Sequence, residues 1–190
     1  MGPGAVRRRF ALVDRDGTIN EERRHLAAAE DVALIPGSAE ALVRLRDLEL
    51  GVVVVTNQAE VGRGNLELAE LERIHGRLTA LLAAEGATVD AIEVCPHRPE
   101  DRCDCRKPKP GMALRAAARL GFDPEATVVI GDHLADLGMG RAIGATTILV
   151  RTGHGSDAEA EADAADLADH VADDLIGAVD IIAGLVGKGS

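Results

Sequence analysis

Tryptophan and tyrosine are absent from this chain, and two phenylalanines, Phe10 and Phe122, are its only aromatic residues. Two rings cannot build a platform on which nucleobases stack in succession. No apolar run reaches the roughly 18 residues that a membrane span needs. The segment that opens at Met1 meets Asp14 after only four consecutive apolar residues, Phe10 to Val13, too soon for the apolar stretch of a secretory leader. Cysteines number three, all between positions 95 and 105. An odd, closely spaced set points to a cytoplasmic metal site or thiol chemistry rather than a disulfide framework. Lysine is also scarce: of 21 basic residues, only those at 107, 109 and 188 are lysines.

What is present suffices for one domain spanning 1–190, with 46% hydrophobic residues to fill a core. The net charge of −11 argues against nucleic acid and anionic membranes as partners. That charge is uneven. Residues 156–174 hold eight acids and no Lys or Arg, and 175–190 balance, which leaves −3 for residues 1–155. The acidic stretch 156–174 reads as a solvated helix face or a loose linker.

Short apolar runs alternate with amphipathic ones. Strands are predicted at Phe10–Val13, Gly51–Thr56, Ala91–Val94, Thr127–Ile130 and Thr146–Val150. Helices are predicted at Ala39–Leu50, Leu66–Glu85, Gly111–Leu120, Asp136–Ile143 and Leu175–Val186, most of them stopped by a glycine. This order predicts an α/β fold: a three-layer, Rossmann-like parallel sheet with helices on both faces and right-handed crossovers. In such sheets the chemistry collects in loops at the carboxyl ends of the strands. Those ends read Asp14-Arg-Asp16-Gly17-Thr18, Thr56-Asn57-Gln58 and Gly131-Asp132, with Asp136 four residues on. Gathered carboxylates repel one another and need a hard cation such as Mg²⁺.

DRDGT after a strand, TN after a strand, a lysine, and GD with a further Asp resemble the four motifs of the haloacid dehalogenase superfamily of phosphatases. DRDGTIN, TNQ-x4-RG and C-x-H…C-x-C-R-K-P further resemble the D-glycero-D-manno-heptose-1,7-bisphosphate 7-phosphatases and their relatives, the histidinol-phosphatase domains. The resemblance runs from about Phe10 to Gly153. It implies that Asp14 attacks phosphorus and that Asp16 protonates the leaving oxygen, then deprotonates water. Thr56 and Lys107 contact the phosphoryl group, and Mg²⁺ is held by Asp14, Asp132 and the carbonyl of Asp16. Asn57, Gln58 and Arg106 are the substrate-binding candidates.

Cys95-Pro-His97 and Cys103-Asp-Cys105, five residues apart, can each grip one side of a metal. Three thiolates and an imidazole form a closed tetrahedral set, which reads as structural Zn²⁺ within a loop at 95–110. Side chains of that loop add net positive charge that an anionic substrate can meet. The intervals from Asp14 to Thr56 and from Thr56 to Lys107 are too short for a separate cap, so the site is expected to be open. The chain departs from the family at Glu60, at Arg23-Arg24-His25 and at His133. His75, His154 and His170 read as surface or packing residues.

The expected function is therefore a monomeric, Mg²⁺-dependent phosphomonoesterase. Its expected substrate is a small phosphorylated sugar, a heptose 1,7-bisphosphate cleaved at C7 on the route to nucleotide-activated heptose. Histidinol phosphate, or another sugar or polyol phosphate, is the nearest alternative. A zinc-stabilised phosphate-binding protein without turnover is the alternative of another class.

Overall fold

Val52, Val53, Val54 and Val55 are all fully buried, which only a strand covered on both faces allows. Val52 and Val54 enter one core cluster, Val53 and Val55 the other. The computed structural model describes residues 8–23 and 26–187; Arg24, His25 and Lys188, singled out in the sequence, lie outside the described residues. The strands are β1 (Phe10–Val13), β2 (Gly51–Asn57), β3 (Ala91–Cys95), β4 (Val128–Gly131), β5 (Thr146–Val150) and β6 (His170–Ala172). They form one parallel sheet in the order β3-β2-β1-β4-β5-β6.

The helices are α1 (Ser38–Asp47), α2 (Ala59–Gly62), α3 (Leu68–Ala84), α4 (Gly111–Leu120), α5 (Leu134–Ala142), α6 (Gly155–Ala164) and α7 (Leu175–Gly187). Leu42, Leu45, Ile74, Leu78, Val179 and Ile182 carry α1, α3 and α7 onto one face. Met112, Ala113, Ala116 and Met139 bring α4 and α5 onto the other, where Ala162 of α6 packs against Leu137 and Leu149. The predicted three-layer parallel fold is what the chain adopts. The two phenylalanines stack on each other, ring centroids 4.4 Å apart, inside the second layer.

The acidic segment is neither a loose linker nor only a solvated face, for it contains α6 and the edge strand β6. Its charges are used locally. Asp169 Oδ2 accepts from the Thr147 N–H at 2.8 Å, which pins β6 to β5. Arg151 gathers Glu159 and Asp173 at 2.7 and 2.5 Å. A three-residue strand flanked by aspartates is too short to register as an apolar run.

Between β1 and α1 the described chain holds only a 3-10 turn at Ala29–Asp31, and between β2 and β3 only α2 and α3. No cap domain stands over the carboxyl ends of the strands among the described residues. Strand order reverses at β1, so the crevice lies beyond the ends of β1 and β4. Among the described residues, no helix is long and apolar enough to cross a membrane.

Candidate active site

Asp14 and Asp132 become neighbours through strand register. Val13 pairs with Ile130, and the Asp14 N–H donates to the Ile130 carbonyl at 2.9 Å. Each carboxylate is thus the first residue beyond its strand. They open into a cleft of about 220 Å3 lined by Asp14, Asp16, Thr56, Asn57, Arg106, Lys107 and Asp132, together with Glu22, His133, Ala135, Asp136 and His154. Every catalytic candidate from the sequence lines this cleft. Of the substrate-binding candidates, Asn57 and Arg106 line it and Gln58 does not.

Lys107 is 5% exposed. Its Nζ lies 2.6 Å from Asp14 Oδ1 and 2.5 Å from Asp136 Oδ1, and it donates to the Val55 carbonyl at 2.8 Å. Burial opposes the ammonium charge, but Asp136 and Asp14 outweigh it and hold the lysine protonated. Asp136 is itself fixed by the start of α5: its Oδ2 accepts from the His133 N–H at 3.1 Å, while His133 Nδ1 accepts from the Ala135 N–H at 3.2 Å. The sequence marked Asp136 beyond a strand end; that it anchors the lysine depends on this helix cap. His133 is a cap at the cleft rim.

Burial and the nearby Asp136 push the Asp14 carboxyl up to about 7 even with Lys107 beside it. Burial and Asp14 push Asp132 up to about 6. Their oxygens, with one of Asp136, lie within 4.8 Å of one another. Because Asp136 is engaged by Lys107 and the His133 N–H, the carboxylates left for a cation are Asp14 and Asp132. Two crowded, buried oxygen donors suit Mg²⁺, which prefers a few carboxylates completed by carbonyl, water and phosphate oxygens. Asp132 is held in place by the His154 N–H at 2.8 Å. Gly17 and Gly153, both at positive φ, leave room for it: a Cβ on either would stand 2.2 or 2.1 Å from Asp132 Oδ2. His154, read from the sequence as surface or packing, therefore belongs to the cleft.

Asp16 meets five short contacts. Arg15 Nε lies 3.1 Å from both carboxylate oxygens and Nη2 lies 2.7 Å from Oδ2. Asn20 donates to Oδ1 at 3.0 Å and Gln58 to Oδ2 at 2.9 Å. Burial alone would raise this carboxyl, but the Arg15 guanidinium and the hydrogen bonds hold it below the ordinary range. Gln58 also donates to Thr56 Oγ1 at 2.8 Å, so it orders the two cleft residues from behind. Glu60 faces Arg63 and Asn65 and does not line the cleft.

The cysteine loop follows β3. Cys95 Sγ lies 3.7 Å from His97 Nδ1, 3.6 Å from Cys103 Sγ and 3.2 Å from Cys105 Sγ. Cys105 Sγ lies 3.5 Å from Cys103 Sγ and 3.2 Å from His97 Nδ1. These separations are too long for S–S bonds of about 2.05 Å. They match the edges of a tetrahedron whose centre lies about 2.0–2.3 Å from each donor, the geometry of a closed zinc site. Burial pushes the Cys95 thiol up to about 12, an effect that the neighbouring thiols reinforce against the His97 N–H; a metal cation reverses that preference. The loop then delivers Arg106 and Lys107 to the cleft.

A family model described as "HAD-hyrolase-like" matches residues 104–178. The D-glycero-beta-D-manno-heptose-1,7-bisphosphate 7-phosphatase of Pseudomonas aeruginosa is 41% identical over 149 residues, covering 78% of this chain and 84% of that protein. The protein of the same name from Pseudomonas putida is 41% identical over 148 residues, covering 77% and 85%. The crystal structure of D,D-heptose 1,7-bisphosphate phosphatase from B. bronchiseptica, complexed with magnesium and phosphate, superposes with a TM-score of 0.86 at 34% identity, covering 93% of this chain and 98% of that one. With this fold, this cleft and these relatives, the chain belongs to the heptose-1,7-bisphosphate 7-phosphatase family of haloacid dehalogenase-like hydrolases.

Proposed function

We propose that this protein is a magnesium-dependent phosphatase that removes the C7 phosphate of D-glycero-β-D-manno-heptose 1,7-bisphosphate, working as a single catalytic unit. The observation that carries the reading is Asp14 at the switch point of the sheet, held by Lys107 at 2.6 Å and set beside Asp132. Asp14 supplies the attacking oxygen: an O–P bond forms and the bond from phosphorus to the sugar oxygen breaks. Asp16 gives a proton to that leaving oxygen, then takes one from the water that cleaves the aspartyl-phosphate. An arriving phosphate dianion favours protonation of Asp16, which the Arg15 contact opposes. Lys107 neutralises charge on Asp14 and, with Thr56, on the transferring group. Held by Asp14, Asp132 and the Asp16 carbonyl, Mg²⁺ would supply two positive charges that reduce repulsion between nucleophile and phosphate.

Arg106, a half-buried cation that lines the cleft, is the contact we assign to the sugar or its second phosphate, and Asn57 lines the same cleft. A cytoplasmic monomer fits the chain. Its cysteines serve as reduced metal ligands, and the large exposed hydrophobics Leu68, Leu114 and Leu185 sit on three different helices.

Phosphate release should be measured with both anomers of the heptose bisphosphate, histidinol phosphate and simple sugar phosphates, with and without Mg²⁺. The β heptose bisphosphate is expected to turn over fastest. A preference for histidinol phosphate would move the chain to the neighbouring specificity, and an inert wild type would make it a binding protein. Asp14→Asn is expected to fold and to lose more than about three orders of magnitude in kcat.

A further inference from the structure

We propose that Arg15 and His75 form a positioning pair that sets the orientation of the Asp16 carboxylate from outside the cleft; this rests on the reading of Asp16 as the acid and base.

Arg15 stands between the two motif aspartates, yet it does not face the substrate. It is 1% exposed and is the largest fully buried side chain among the described residues. A guanidinium keeps its charge and presents up to five N–H donors in a rigid fork. Burying one is unfavourable unless partners surround it. One side of the fork, Nε and Nη2, meets Asp16. The other side, Nη1, lies 3.0 Å from His75 Nε2.

The anchor matters because Arg15 and Asp16 are adjacent in sequence. Asn20 and Gln58 each donate one hydrogen bond to Asp16, but the arginine fork that grips both its oxygens needs a partner from elsewhere to be fixed itself. His75 comes from α3, 60 positions away, and α3 is bolted to the sheet by the buried Leu71, Ile74, Leu78 and Leu82. The ring therefore gives the arginine a fixed external reference. It is also the right kind of partner. Burial and the Arg15 charge push His75 down to about 4 against the pull of Asp16, so the imidazole is neutral and Nε2 accepts. The proton must then sit on Nδ1.

Neither Arg15 nor His75 lines the cleft. Loosening the pair should therefore misdirect the proton transfer without altering substrate binding. Misplacement by about 1 Å can lower a rate by about 100-fold.

The test compares wild type, Asp16→Ala, His75→Leu and His75→Gln on the β heptose bisphosphate with Mg²⁺. Ring-nitrogen NMR of the wild type at neutral pH accompanies it. His75→Leu should lower kcat tenfold or more with KM within twofold. His75→Gln, whose amide oxygen can accept from the guanidinium, should recover most of the loss. NMR should place the His75 proton on Nδ1. A proton on Nε2 overturns the pairing even if the leucine variant does not fold. Wild-type kcat in His75→Leu, with Asp16→Ala inactive, overturns the positioning role and leaves Asp16 its chemistry. An active Asp16→Ala overturns the role of Asp16 and this inference with it.

Discussion

Asn57 and Lys107, 50 positions apart, exchange two hydrogen bonds: Asn57 Nδ2 donates to the Lys107 carbonyl at 3.2 Å, and the Lys107 N–H donates to Asn57 Oδ1 at 3.1 Å. The end of β2 thereby clasps the backbone of the cysteine loop at the residue whose ammonium holds the nucleophile. Asn57 is in consequence as much a brace for the cation as a surface for substrate.

Asn57→Ala should separate these roles. Losing the clasp removes two hydrogen bonds, each worth about 1 kcal/mol net, and lets Lys107 drift from Asp14. We expect kcat to fall about 10- to 100-fold, with a thermal midpoint lower by several degrees. A change in KM alone, at wild-type stability, would show that Asn57 only binds sugar.

Magnesium should stabilise the protein more at higher pH. Asp14 and Asp132 titrate near 7 and near 6 in the folded, metal-free protein, above the ordinary 3.8. Groups raised in this way contribute stability that is complete below about pH 4 and is lost as pH rises through 6 and 7. The metal-free midpoint should therefore drift down across that window. Mg²⁺ replaces the protons, so its stabilisation should grow from pH 5 to pH 8. At a 100-fold excess over Kd it should reach about 2.7 kcal/mol, or about 5–10 °C. Thermal shifts with and without Mg²⁺ at the two pH values check this; equal shifts would contradict it.

Zinc should be stoichiometric and structural. Elemental analysis of freshly purified protein is expected to give one zinc per chain. Cys103→Ser, or removal by a chelator, should lower the unfolding midpoint by more than about 10 °C. Activity should fall with it, because the same loop carries Arg106 and Lys107. Less than half a zinc per chain would count against the assignment.

Gly153→Ala should weaken the magnesium site from the far side of the cleft. Gly153 has φ +56°, and an added Cβ would stand 2.1 Å from Asp132 Oδ2 and 2.7 Å from the Gly17 Cα. The positive φ alone costs an alanine about 1–2 kcal/mol. The larger effect should be displacement of Asp132, read as an increase of at least about tenfold in the Mg²⁺ concentration needed for half-maximal activity. An unchanged magnesium dependence in a folded variant would argue that the Asp132 carboxylate does not hold the ion.

The parallel sheet, five of its six strands, the longer helices between them and the positions of Asp14, Thr56 and Asp132 at strand ends were open to inspection in the chain itself; the order of the strands across the sheet was not. An apolar run ending in a polar residue is a local signal, and a parallel sheet lines such endings along one rim. The Cys/His cluster that could hold zinc was equally plain, because spacing alone brings C-x-H and C-x-C within reach of one ion. The three- and four-residue features were not. β6 is too short to show a period, and the four-residue α2 too short to show a face.

What the linear order could not contain was the set of partners behind the cleft. Tertiary packing puts Gln58 behind Asp16 and Thr56, and ties Asp136 to Lys107. It brings His75 from α3 to the buried Arg15, for which the sequence offered no role. These contacts join residues 29 to 60 positions apart, apart from the Gln58–Thr56 bond, and no composition or period encodes them. The sequence by itself determined which reactive groups stand at the strand ends and in the cysteine loop and which metals they suit, since both follow from residue type and short spacing. Only the tertiary structure decided how each group is oriented and charged, because orientation and pKa are set by whatever side chain arrives from elsewhere in a buried, low-dielectric site.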